Sequence, residues 1–288
     1  MSVIIRVCDN MGNIIKIINK SREKFLQVLN DTFGLTPGTE LSYNGLSVTV
    51  KGSIYSKNVA DPFVVLNSAS EYRIVEVRGD LQFLSFSLVE TLEGCPDVVC
   101  GRLILDRCSK LYSLAGISKT VHTLVLNGTP IKRLSGVKSC KYLEVSSCEL
   151  ETLEGIPNDV ISLDASSNRL TKLPELNREM CKLDLSYNRL ESLHGCPRKV
   201  TSDFYCNDNV LETLKYAPSV VEGKFDCSSN PLKEVGCTIV SASVFNFSRT
   251  PMPKSEVEAN VKNYDSLIWD NNPPLVDNDW HHKMKMLY

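Results

Sequence analysis

The sequence predicts an α+β N-terminal domain followed by a solenoid of short parallel strands. Three observations predict it. Residues 1–80 alternate apolar runs with turn signals and do not repeat. Residues 81–252 carry a short apolar motif that returns about every twenty positions. Residues 253–288 lose the motif and become polar, which reads as a C-terminal cap and tail.

The N-terminal elements follow in order. "VIIRV" and "NIIKII" flank the turn "DNMGN" and predict a hairpin. "SREKFLQVLNDTFG" predicts a helix, with Ser21 as cap, Phe25, Val28, Leu29 and Phe33 on one face, and Gly34 as the stop. "LSYNGLSVTV" predicts a second hairpin across Asn44-Gly45. "EYRIVEVRG" supplies a last strand. This order is similar to the ubiquitin-like β-grasp, and "YRIVEVRGD" resembles ubiquitin's tail. It departs where conjugation would matter, because Asp80 and more chain follow Gly79. The alternative is an ordinary α+β cap that shields the first repeat.

The repeats begin with a degenerate copy, "QFLSFSLVETLEGCP", at Gln82. Eight copies in register then start at Leu103, Leu124, Leu143, Leu163, Leu183, Phe204, Phe225 and Phe245, at steps of 21, 19, 20, 20, 21, 21 and 20. In "LDLSYNRLESL", at 183–193, the two residues flanking Asp184 point to one side of a short strand and Asp184 to the other. One turn cannot bury its leucines alone, but stacked turns bury them as a continuous column. The pattern LxLxxNxLxxL resembles the leucine-rich repeat family. That resemblance implies that Asn168, Asn188, Asn209 and Asn230 bond inward to neighbouring backbone. Cys108, Cys148, Thr129 and Thr250 take the same slot in other copies. "GCP" or "GIP" at 94–96, 155–157 and 195–197 turns the chain onto a convex side of extended or 3₁₀ backbone. After the repeats, "PKSEVEANVKNY" predicts a short capping helix with Val257, Val261 and Tyr264 on one side, and Trp280 reads as docking back from the tail.

Composition narrows the function. Net charge is −2, which gives no general pull toward nucleic acid or membrane. No apolar run reaches membrane-spanning length. With no signal-peptide pattern and eleven scattered cysteines, the expected setting is the cytoplasm, with thiols reduced. No HExxH, GxSxG, Walker or GxGxxG pattern occurs, and no CxxC pair. The expectation is a non-enzymatic protein with no cofactor or metal. The cysteines follow the repeat: Cys206 and Cys227 replace inward leucines, and Cys95 and Cys196 share the turn slot. A thiol enzyme is the outlying alternative. "LPEL" at 173–176 is similar to repeats of secreted bacterial effectors, some of which carry a ubiquitin-ligase domain with a catalytic cysteine. The residues after these repeats contain no cysteine, so that activity is not expected.

What remains is a surface. The middle strand residues are Ile104, Val125, Glu144, Asp164, Asp184, Tyr205, Asp226 and Asn246, and they are expected on the concave face. Four are carboxylates, and like charges across adjacent strands oppose folding by a few tenths of a kcal/mol or more, roughly. The flanking column offers Arg102, Lys182 and Lys224 as partial relief, and the other flank is small and polar. The expected docking set is Tyr142, Glu144, Asp164, Asp184, Tyr187, Asp203, Tyr205 and Asp226, facing a basic protein surface, with the tyrosines as anchors. The plain alternative is a set of merely solvated sheet residues. An acidic face repels phosphate and disfavours nucleic acid. Copies of the form LExGCPxxVxxxFxCSxN resemble repeats in proteins of tailed phages and large DNA viruses. That resemblance implies a factor that binds a host protein to inhibit or redirect it; the alternative is a structural virion or assembly component.

Overall fold

The computed structural model describes residues 20–56, 72–84, 89–176, 179–236, 239 and 241–270. The hairpin expected within residues 1–19 and the tail with Trp280 lie outside them. The chain divides into two compact units: Met1–Glu149 with Glu154–Val160, and Leu150–Leu153 with Ile161–Tyr288.

In the first unit, helix α1 spans Lys20–Thr32. Phe25 and Leu29 stand one turn apart and are buried, while Val28 is half-buried. The helix takes in Ser21 and stops before Gly34, which enters strand β1, Phe33–Leu35. Phe33 is buried, and β1 pairs antiparallel with β4, Ile54–Ser56. Strand pairing thus ends the helix earlier than the glycine signal implied. The expected hairpin forms from β2, Glu40–Asn44, and β3, Ser47–Lys51. Its turn places Gly45 at φ 61, a left-handed conformation that glycine adopts without a side-chain clash.

These strands run straight into the repeats. Strand β5, Arg73–Val77, pairs parallel with β3 and with β7, Val98–Ile104. Strand β4 pairs parallel with β6, Leu81–Gln82, which pairs with β7. The ladder continues through β8, Thr120–Val125, to β9, Ser139–Glu144. Leu81, Leu103, Leu124 and Leu143 stand in one register. The described N-terminal strands and the first repeats of this unit thus share one hydrogen-bonded sheet.

The second unit repeats the plan. Strands β10 (Ser162–Asp164), β11 (Lys182–Asp184), β13 (Phe204–Tyr205), β15 (Lys224–Asp226) and β16 (Val244–Asn246) pair parallel in sequence. Between them fall β12, Lys199–Val200, and β14, Val220–Val221, which pair with each other. Helix α2, Lys254–Asn260, follows, with Val257 buried. Strand β17, Ser266–Ile268, then pairs parallel with β16. The ladder therefore runs one turn past the last copy legible as a repeat. The register column is Leu163, Leu183, Phe204, Phe225, Phe245 and Leu267.

Each turn also pairs at a second point. Val99, Val121 and Cys140 align in the first unit, and Met180, Val200 and Val221 in the second. Nearly all of these inward side chains are fully buried. Each such leucine or phenylalanine contributes about 1.5–3 kcal/mol of burial, available only when turns stack.

Two polar devices hold the turns. Asn188 Oδ1 accepts the Leu170 N–H at 3.0 Å, while its Nδ2 donates to the Ala165, Leu185 and Ser186 carbonyls at 3.0–3.1 Å. Asn209 and Asn230 repeat this bridging, and all three are buried. In the first unit Cys148 Sγ and Thr129 Oγ1 both reach the Leu126 carbonyl instead. The residue before this slot is left-handed in every copy: Arg107, Gly128, Ser147, Ser167, Tyr187, Asp208, Ser229 and Arg249 lie at φ 53–69. Only one of them is glycine. The bend is strained for the others, by about 1–2 kcal/mol each, and the inward hydrogen bonds offset it. The Gly195 turn is tighter still: a Cβ there would sit 2.4 Å from the Pro174 carbonyl oxygen.

Candidate protein-docking surface

The strand face of the first unit does not match its expectation throughout. Ile104 and Val125, expected in the open, are buried, at 6% and 2% exposure. Glu144 is half-buried, and Tyr142 is exposed with its ring 5.2 Å from that of His122.

The second unit carries the other six expected residues, on β10, β11, β13 and β15 and in the segments beside them. Asp164 and Asp184 face one another in register on adjacent strands. Each is fixed by the serine two residues on. Asp184 Oδ1 accepts the Ser186 N–H at 3.0 Å and its hydroxyl at 2.6 Å; Asp164 does the same with Ser166 at 3.0 and 2.7 Å. Asn246 makes the same pair of bonds to Ser248, so the turn needs an acceptor oxygen but no charge. Among the described residues no ion pair reaches Asp164 or Asp184. Burial pushes the Asp184 carboxyl up, and Asp164 adds to the rise, although Ser186 counters it.

Asp226 differs. It was expected on the open face, yet only 5% of it is exposed. Lys224 Nζ lies 2.7 Å from its Oδ2, Asn246 Nδ2 donates to the same oxygen at 2.8 Å, and Ser228 holds Oδ1. Burial alone would raise this carboxyl, but Lys224, Ser228 and Asn246 together hold it below the usual range. Asp226 is therefore a tie within the fold rather than a free acceptor.

Tyr205 stands between these carboxylates, half-buried. Lys182 and Lys224 place their ammonium groups 5.7 and 5.5 Å from its ring centre. Its hydroxyl donates to Asp203 Oδ2 at 3.2 Å, and Asp203 Oδ1 accepts the Lys224 N–H at 2.8 Å. Burial first, then the Asp203 charge, pushes the phenol up to about 12. Tyr187 is 45% exposed at its left-handed bend, and the Asp208 charge, followed by burial, raises its phenol. Asp208 was missed by the sequence reading. Its position, one before the asparagine slot, is filled by unrelated residues in other copies, so no pattern marks it.

Most of the described thiols are buried. Burial pushes Cys95 and Cys140 up to about 11, and raises Cys148, Cys196 and Cys206. Cys100 and Cys181 are exposed, and the nine described cysteines are free thiols. Among the described residues no group of three or more ligands could hold a metal, and no helix is long and apolar enough to cross a membrane.

No protein-family profile, curated protein or solved structure matches the chain.

Proposed function

We propose that the chain is a non-enzymatic protein-binding module whose second unit docks a basic segment of a partner protein on its strand face. The supporting observation is the contrast between neighbouring carboxylates. Asp226 is neutralised internally by Lys224, whereas Asp164 and Asp184 stand in register and form no ion pair among the described residues, Lys182 lowering the Asp184 carboxyl only from a longer distance. Two fixed, part-exposed carboxylates on adjacent strands about 4.8 Å apart favour a cationic partner. Tyr205 and Tyr187 supply aromatic area beside them. The raised thiols favour a binding role over a thiol enzyme, which needs a low-pKa cysteine.

Three finer readings belong with this proposal. The turns are leucine-rich repeats, supported by the asparagine bridges. The N-terminal domain is related to the β-grasp, supported by α1 followed by the β2–β3 hairpin and β5. The partner is a host protein met in the host cytoplasm, which rests on the resemblance to phage and large-virus repeats.

Affinity capture from host lysate with the D164N/D184N double variant tests the docking face. Asparagine keeps the serine-bonded turn, as Asn246 demonstrates, and removes only charge. Recovery of a partner is expected to fall at least about tenfold, and to fall likewise for the unmutated chain at high salt. Unchanged recovery, with circular dichroism intact, overturns the proposal.

A further inference from the structure

We draw no further inference here: the strongest candidate, the in-register Asp164–Asp184 carboxylate pair on the strand face of the second unit, belongs to the surface already described, and nothing else in the structure points to a ligand there.

Discussion

Single residues decide whether each turn closes. Asn188 spends its side-chain oxygen on Leu170 and its amide on three carbonyls. Replacing it by alanine leaves the buried Leu170 N–H without its acceptor and takes one of two donors from each of those carbonyls. We expect Asn188→Ala to lower stability by roughly 2–4 kcal/mol in urea unfolding, with an unchanged m-value. Two carboxylates of one register column, separated by the Tyr205 strand, should respond oppositely to neutralisation. The folded-state pKa of Asp226 is depressed, so its contribution is present above its unfolded pKa of about 3.9 and is lost as pH falls through the folded value. Asp184 is raised, so its contribution is present below about 3.9 and is lost as pH rises through the folded value. At pH 7 Asp226→Asn should cost roughly 1–3 kcal/mol, whereas Asp184→Asn should gain roughly half a kcal/mol. Both differences should shrink toward pH 3. Stability curves of the two variants against pH check the signs, and a shared sign would refute the assignment of Asp226 as a tie.

At the scale of elements, the repeat motif was legible because an apolar column must recur once per turn. The leucines at 103, 124 and 143 in the first unit, and at 163 and 183 in the second, fall into the expected register within each unit for that reason. The second pairing point was harder to read. Val99, Val121, Val200 and Val221 recur, but the gap to the next strand varies by a residue, and the irregularity between Val99 and Arg102 absorbs it. The last turn was illegible as a repeat, because "SLIWD" keeps one inward leucine but puts Trp269 at the second inward position, which the other copies fill with Leu, Val, Ala, Cys or Phe. Ile104 and Val125 were misplaced because alternation assigns a side chain to a face and cannot say whether that face is covered. The last turn makes its own prediction. Phe245 and Phe247 are fully buried, with Tyr264 packed edge-on against Phe245 at 6.0 Å. A chain truncated after Met252 should expose both phenylalanines, lose cooperative unfolding of the second unit and bind a hydrophobic dye. A truncated chain that unfolds as sharply as the full one would show that α2 and β17 contribute nothing.

For the molecule as a whole, each unit is a ladder in which every turn uses its neighbour to satisfy buried polar groups and to hide apolar ones. Charges on the flank follow the same rule. Arg73, Asp97 and Lys119 alternate in the first unit, and Glu179, Lys199 and Glu222 in the second, which favours one stacking register over slipped ones. Function was less legible than fold. The acidic strand face could be listed from the sequence, but which carboxylates are neutralised internally required coordinates, since Lys182 and Lys224 hold equivalent sequence positions and, of the two, Lys224 alone forms an ion pair among the described residues. Amide hydrogen exchange read by NMR tests the stacking most directly. The amides of Leu150, Leu170, Leu190 and Leu211 lie outside the strands, yet each donates to the asparagine of the following turn. Stacked turns predict that these four are protected as strongly as the inter-turn amides of Leu183, in β11, and Leu185, just after it. Exchange at the rate of an open loop would contradict the stack.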